Sequence, residues 1–317
     1  MRIIFMGTPA FAVPSLEALL KSDDQVVGVV TQPDRPKGRG QEVAMSPIKL
    51  VCQRENIPVL QPVKMKDPAF LDALRAWRSD LIAVAAFGRI LPPVILTMPP
   101  RGCINVHGSL LPKFRGAGPI QWAIITGETE TGITTMLMDE GMDTGAMLLQ
   151  ERTPILPDDT AGSLSARLAD VGGRLLVETI ARLKAGTLVP TPQDHAQATL
   201  APLLKKEDGA IDWTMSAAEI ERRIRGLSPW PGAFTFAGEE RWTIWRAAAT
   251  ESAAEIQPGH VISAGKAGIA VAAGQGAILI TELQPANSRR MAAAQYVAGH
   301  NISPGSRLGP IAQNARQ

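Results

Sequence analysis

Three polar residues carry the side chains that an addition to a carbonyl group requires. Asn105 and His107 lie two residues apart at the end of the apolar run from Cys103 to Val106. In a strand both would project from one face, at the carboxyl end where open parallel sheets bind ligands. An amide can donate a hydrogen bond to a developing oxyanion, and an imidazole can transfer a proton near neutral pH. Taken alone, the pair is better explained as a polar strand end that satisfies loop carbonyls.

A second loop supplies a carboxylate. The segment from Gly132 to Asp139 predicts a strand, and the Gly-rich turn that follows, residues 140–145, can direct Asp143 back across the sheet. A carboxylate beside an imidazole fixes its tautomer and favours the protonated form. By itself Asp143 would be a turn residue, but with Asn105 and His107 it completes a candidate catalytic site.

These residues resemble the active-site signature of the 10-formyltetrahydrofolate-dependent formyltransferases. The signature is carried by two motifs, Asn105-x-His107-x-Ser109-Leu110-Leu111-Pro112 and Asp139-x-Gly141-x-Asp143-Thr144-Gly145. The similarity also includes residues 3–11, 31–40 and 227–233, and it extends over essentially all of residues 1–310.

The resemblance implies an enzyme in which Asn105, His107 and Asp143 are the catalytic residues. It implies that the segment Ser109, Leu110, Leu111 and Pro112 borders the site of the co-substrate, 10-formyltetrahydrofolate. It implies transfer of the formyl group to the α-amine of methionine esterified to initiator tRNA, with no metal. In such a reaction the neutral amine attacks the formyl carbon, and negative charge develops on the formyl oxygen.

A basic loop is the first candidate for contact with RNA. Residues 32–41 hold Arg35, Lys37 and Arg39 against one acid, Asp34, and their glycines and prolines predict no regular structure. Without the resemblance, a solvated surface loop is the simpler explanation. The resemblance implies contact with the acceptor end of tRNA, with Arg39 the strongest candidate. Lys206, in a Lys-Lys pair further along the chain, is a further candidate.

The elements that would position the catalytic residues follow an alternating α/β pattern. Short apolar runs recur at residues 3–6, 26–30, 81–87 and 103–106, separated by segments with helical spacing. Ser46-Pro47 and Asp67-Pro68 place an N-cap residue before a proline suited to the first helical position. The pattern predicts a Rossmann-like, open and mostly parallel sheet in a catalytic domain over residues 1–189, closed by a helix over 161–184. Only the first glycine of a dinucleotide-binding loop is present, so an NAD-linked enzyme is not expected.

A smaller domain is predicted to follow. Residues 190–208 are rich in proline and lack periodicity, as in an extended linker. Residues 209–317 begin with a helix whose Ser216 and Glu219 have capping-box spacing. About five short strand-like runs then predict a small β-barrel of the oligonucleotide-binding (OB) type. We expect this domain to bind tRNA. The runs are residues 233–236, 242–247, 260–262, 268–272 and 277–283.

Composition excludes several classes of protein. The chain has 317 residues, 45% hydrophobic and 20% charged, with a formal net charge of +2, which argues against disorder and against a polycationic nucleic-acid binder. Two cysteines and four histidines do not support a disulfide framework or a zinc site. There is no apolar run of about 18 residues and no signal-like opening segment. We therefore expect a cytoplasmic monomer without a membrane partner.

Two alternative functions remain at this stage. The same chemistry could act on a small amine, such as glycinamide ribonucleotide or an amino-sugar nucleotide. The linker, the second domain and the basic loop favour tRNA over these acceptors. From a different class, a catalytically silent RNA-binding protein could share the fold, but the intact set of Asn105, His107 and Asp143 argues against it.

Overall fold

The protein is described by a computed structural model that covers residues 1–37, 42–251 and 256–309. Its contacts divide the chain into two compact units. The first unit comprises residues 1–119, 130–154 and 165–202. The second unit comprises residues 120–129, 155–164 and those from 203 onward.

The first unit is built on a seven-stranded sheet. In chain order its strands are β1 (Arg2–Gly7), β2 (Gln25–Val30), β5 (Val59–Leu60), β6 (Leu81–Ala85), β7 (Cys103–His107), β8 (Glu130–Leu137) and β9 (Met147–Pro154), while β3 (Arg35–Lys37) and β4 (Glu42–Ala44) form a separate antiparallel pair. The strand order in the sheet is β5-β2-β1-β6-β7-β8-β9. Pairing is parallel as far as β7 and antiparallel from β7 to β9. The predicted mostly parallel sheet is confirmed.

Two helices of the first unit begin at N-caps that the local sequence predicts. In chain order, the helices up to residue 185 are α1 (Val13–Leu20), α2 (Pro47–Arg54), α3 (Pro68–Ala76), α4 (Pro93–Leu96), α5 (Pro119–Ile125) and α6 (Ala161–Ala185). Ser46 accepts a hydrogen bond from the Lys49 amide, and Asp67 accepts one from the Ala69 amide, so both predicted N-caps are present. Helix α6 ends within one residue of its predicted end.

The apolar runs form buried strands, with one difference in length. All five residues of β6 are buried, as expected for a central parallel strand. The predicted run continued to Phe87, but the strand ends at Ala85 because Ala86 has a φ of 45° and Gly88 a φ of 74°. These left-handed residues turn the chain while Phe87 stays buried in the core.

The second unit contains a six-stranded antiparallel sheet and two further helices. Its elements are α7 (Ala217–Gly226), β10 (Ala233–Ala237), β11 (Glu240–Thr250), β12 (Val261–Gly265), β13 (Gly268–Ala272), β14 (Ala277–Pro285), β15 (Met291–Ala292) and α8 (Ala293–Gly299). The order is β10-β11-β14-β13-β12, and β15 pairs with β14. Each of the five predicted runs overlaps one strand, and α7 begins with the predicted capping box. The second domain is strand-rich, as predicted.

A polar cluster sits at the edge of this second core. The Trp242 side chain is fully buried, and its indole N–H donates to Glu240 Oε2 at 2.9 Å. The hydroxyl of Tyr296 donates to the same oxygen at 2.7 Å. Burial, together with the neighbouring Glu240 carboxylate, raises the pKa of the Tyr296 hydroxyl to about 12. In the part of the chain that the structure describes, no helix has the length and apolar character needed to span a bilayer.

Candidate active site

The three predicted catalytic side chains converge at one end of the sheet. Asn105 and His107 lie on β7 and point to the same face, because residues two apart on a strand share a face. Asp143 comes from the turn between β8, which pairs with β7, and β9. Asn105 Nδ2 lies 3.4 Å from Asp143 Oδ1, and His107 Nδ1 lies 3.6 Å from Asp143 Oδ2. The structure thus brings the predicted amide, imidazole and carboxylate together.

The environment of His107 defines the role of each ring nitrogen. The side chain is buried, and its Nε2 lies 2.9 Å from the backbone carbonyl oxygen of Phe114. A carbonyl oxygen only accepts hydrogen bonds, so Nε2 carries a proton. The other nitrogen, Nδ1, faces Asp143, and a proton on Nδ1 would lie between the ring and the carboxylate. Nδ1 is therefore the ring nitrogen that can take part in proton transfer with Asp143.

The turn that carries Asp143 has an unusual backbone. Asp143 has a φ of 53°, in the left-handed region, and its Oδ2 accepts a hydrogen bond of 2.9 Å from the Gly116 amide. Gly145 approaches β8 so closely that a side-chain carbon added there would overlap the Leu137 carbonyl oxygen. With 17% of its side chain exposed, Asp143 remains accessible while its position is fixed.

The segment Ser109, Leu110, Leu111 and Pro112 follows β7 directly and is held by side chains of β8 and β9. Thr134 Oγ1 donates to the Ser109 carbonyl at 2.7 Å and accepts from the Leu111 amide at 3.1 Å. Gln150 Nε2 donates to the Leu111 carbonyl at 2.9 Å. Ser109 and Leu111 are buried, and Leu110 and Pro112 are half-buried. The segment is therefore a fixed wall beside the candidate catalytic residues, with Leu110 and Pro112 as its accessible side chains.

The basic loop has more regular structure at its base than its glycines and prolines predict. The backbones of Arg35 and Lys37 belong to β3, which pairs with β4. The prediction of no regular structure is wrong for this part, because proline is tolerated in an edge strand. Arg39 lies outside the described residues. The Asp34 carboxylate accepts hydrogen bonds from Lys49 and Gln61, which lower its pKa below the usual range. Asp34, the one acid of the loop, is therefore paired with Lys49.

Basic residues of the second unit differ in their surroundings. Lys206 is exposed just before the 3-10 turn Glu207–Gly209. On α7, Arg225 forms an ion pair with Glu221, and Arg223 donates to the Asp208 carbonyl at 3.0 Å. Lys206 is thus better placed for a partner than these two arginines, whose donors are used within the unit.

Two residues that the sequence did not single out are connected to the turn at Asp143 by hydrogen bonds. Arg115 and Gln193 are both buried, with 7% and 5% of their surfaces exposed. The exposed side chain of His195 contacts Arg115 through Nδ1 at 3.1 Å. The sequence did offer one signal for Arg115, because it is a cation that closely follows the motif ending at Pro112. Gln193 falls in the aperiodic segment 190–208 and carries no signal of its own.

The sequence is similar to a known protein family and to named relatives over most of its length. Residues 1–180 match the family described as "Formyl transferase", and residues 203–301 match "Formyl transferase, C-terminal domain". A protein of Trichlorobacter lovleyi named methionyl-tRNA formyltransferase is 52% identical over 309 residues, which are 98% of this chain and 97% of that protein. A protein of the same name from Desulfotalea psychrophila is 52% identical over 302 residues, 95% of this chain and 94% of that protein.

A solved structure shares the fold. The methionyl-tRNA formyltransferase from Clostridium thermocellum is similar to 78% of this chain and 93% of its own, with a TM-score of 0.55 and 20% identity. At that identity the similarity concerns the fold alone. The sequence comparisons above carry the assignment of family.

Proposed function

The chain belongs to the formyl transferase family, and from that membership we propose that it is a methionyl-tRNA formyltransferase. It transfers the formyl group of 10-formyltetrahydrofolate to the α-amino group of methionyl initiator tRNA. The products are formyl-methionyl-tRNA, used in translation initiation, and tetrahydrofolate. The observation that carries the proposal is identity of 52% to a relative of that name over 98% of this chain.

The geometry supports a different role for each of the three candidate catalytic residues. Asn105 has two amide hydrogens, and one of them points to Asp143 at a long distance of 3.4 Å. The other is free to donate to the formyl oxygen as negative charge develops there. The amine must lose a proton when it attacks, and Asp143, accessible and next to His107 Nδ1, is placed to receive it. His107 Nδ1 then shares that proton with Asp143 while its Nε2 stays bound to the Phe114 carbonyl. When the bond between the formyl carbon and the folate nitrogen breaks, that nitrogen takes up the proton and tetrahydrofolate leaves.

Co-substrate positioning is proposed for the wall formed by residues 109–112. Because Thr134 and Gln150 fix its backbone, the wall can hold the folate without a change in conformation. Holding donor and acceptor in a reactive geometry supplies a large part of the rate of such a transfer. The reaction as proposed needs only the two substrates.

Binding of the tRNA is proposed for Arg35, Lys37, Arg39 and Lys206. The paired state of Asp34 supports this for the loop, and the exposure of Lys206 supports it for the second unit. Contacts of this kind to phosphates position RNA and weaken with added salt. A cytoplasmic monomer remains the expected form of the protein.

Direct transfer of a labelled formyl group tests the proposal. Methionyl initiator tRNA, an elongator tRNA and glycinamide ribonucleotide are offered separately with labelled 10-formyltetrahydrofolate, with the wild type and a His107→Ala variant. We expect label on the initiator alone, lost in the variant. Label on glycinamide ribonucleotide alone would retain the formyl chemistry and remove tRNA as the acceptor. No label on any acceptor would remove the enzymatic function.

A further inference from the structure

A charged side chain is buried beside the candidate active site. The guanidinium of Arg115 donates from Nε and Nη2 to Gln193 Oε1, at 3.0 and 2.7 Å, and from Nη2 to His195 Nδ1 at 3.1 Å. Neither acceptor is a carboxylate. Burying a cation is costly unless its donors are satisfied, so this arrangement indicates a specific requirement for Arg115 at this position.

The contact with Arg115 determines which way the Gln193 amide faces. A guanidinium can only donate, so the amide oxygen must point to Arg115 and the amide nitrogen to the opposite side. On that side Gln193 Nε2 donates to the Asp143 carbonyl at 2.8 Å and to the Gly145 carbonyl at 2.7 Å. One buried amide thus connects Arg115 to the turn that carries the catalytic carboxylate.

The segment around Arg115 also contacts both catalytic side chains. The residue before it, Phe114, supplies the carbonyl that binds His107 Nε2, and the residue after it, Gly116, supplies the amide that binds Asp143 Oδ2. Phe114, with a φ of 60°, is left-handed like Asp143. Conformations of this kind persist where surrounding contacts enforce them. Here those contacts include the hydrogen bonds of Arg115 and Gln193.

We propose that Arg115 and Gln193 are positioning residues that hold Asp143 against His107 for catalysis. The inference rests on the proposed function. Without the two hydrogen bonds from Gln193, the turn at residues 143–145 loses its fixed position, and the carboxylate moves away from the imidazole. Displacement of a catalytic group by about 1 Å can lower a rate by about 100-fold. The loss falls on kcat, because Gln193 is not among the residues proposed to touch either substrate.

Two substitutions of Gln193 separate its donor role from its structural role. Gln193→Met keeps the length of the side chain but removes both donors and the acceptor. Gln193→Glu keeps an acceptor for Arg115 but cannot donate to the two carbonyls. Gln197→Met is the matched control, because Gln197 lies in the same segment, exposed, with its amide on Asp194 at 2.9 Å. We expect a fall in kcat of about 10- to 100-fold for both Gln193 variants and no change for the control.

A double-mutant cycle tests whether Gln193 acts through Asp143. Formylation of methionyl initiator tRNA is measured for Gln193→Met, Asp143→Asn and the combination, with KM for both substrates and thermal unfolding. We expect KM to stay within about threefold, and the effect of Gln193→Met to disappear in the Asp143→Asn background. If Gln193→Met does not fold, Gln193→Glu replaces it in the cycle.

Several results would overturn the inference. One is a kcat for the Gln193 variants equal to that of the wild type. Another is the same proportional loss with and without Asp143→Asn, because an indirect effect on folding would be additive. A loss confined to KM would equally contradict it. If instead the wild type formylates no methionyl initiator tRNA, it is the proposed function that fails, so the two failures are distinct.

Discussion

Replacing Asn105 by leucine isolates the proposed oxyanion donor. The substitution nearly conserves side-chain volume and removes the amide. In the structure that amide makes one contact with Asp143, 3.4 Å long, which exceeds the usual 2.9 to 3.0 Å of an N–H···O bond. Asp143 keeps its contact with the Gly116 amide. We therefore expect the free energy of unfolding to fall by no more than about 1 kcal/mol.

The expected effect on catalysis is much larger. A donor directed at a developing oxyanion contributes about 100- to 1000-fold to kcat, or about 3 to 4 kcal/mol of transition-state stabilisation. Because the donor acts in the transition state and not on the bound substrates, kcat and kcat/KM should fall together. The two expected free energies, for unfolding and for catalysis, therefore differ by a factor of about three or more.

Steady-state formylation of methionyl initiator tRNA and urea unfolding together test this difference. The matched control is Thr135→Val, because Thr135 lies on β8 opposite Val106 and therefore on the other face of the sheet. Its hydroxyl, 2.8 Å from that of Thr179, is buried. We expect this control to lose stability, by about 1 to 2 kcal/mol, but to keep its kcat. A kcat for Asn105→Leu within about threefold of the wild type, with unfolding unchanged, would refute the assigned role.

Three further predictions follow from contacts elsewhere in the described residues. Gly145→Ala should destabilise the protein and lower kcat, measured by unfolding and by formylation, because its Cβ would overlap the Leu137 carbonyl; wild-type values for both would contradict this. Burial would raise the pKa of Asp24, but hydrogen bonds from the amino terminus and Lys184 lower it overall. Its contribution to stability is therefore present above about pH 4 and lost as the pH falls through the lowered pKa. The wild type should be more stable than Asp24→Asn at neutral pH, and this difference in the free energy of unfolding should shrink in acid. The single tyrosine, Tyr296, should titrate at about 12 by ultraviolet absorbance, and a midpoint near its usual value of about 10 would contradict its burial.

Local signals explain what the sequence predicted well. The N-caps at Ser46 and Asp67 depend on neighbouring residues alone, and both were confirmed. The shared face of Asn105 and His107 follows from the period of a strand. Asp143 was placed near them because a Gly-rich turn follows the strand beside β7. The first two predictions each use information from one short stretch of chain, whereas the third relates two stretches.

The features that were missed depend on side-chain contacts and on strand pairing. Arg115 and Gln193 are 78 positions apart, and neither pattern nor propensity relates them. The strand β3 was missed because Pro36 and the nearby glycines predict a break, whereas a two-stranded pair at an edge can include a proline. For β3, pairing with β4 overrides the local preference.

The segment at residues 190–208 is predicted to be an extended linker from its composition. Its prolines and lack of periodicity are shared by a free tether and by a strand that docks on another part of the chain. A docked strand differs from a free tether because its backbone N–H and C=O groups form hydrogen bonds with the rest of the protein. Here Thr199 O accepts from the Arg115 amide at 2.8 Å, Ala201 N donates to the Arg115 carbonyl at 2.7 Å, and Thr191 and Met147 bond each other in both directions. With Gln193 between these contacts, this segment contributes to the surroundings of Asp143, the candidate catalytic carboxylate. A change in the position of the segment would therefore act on the turn that carries Asp143.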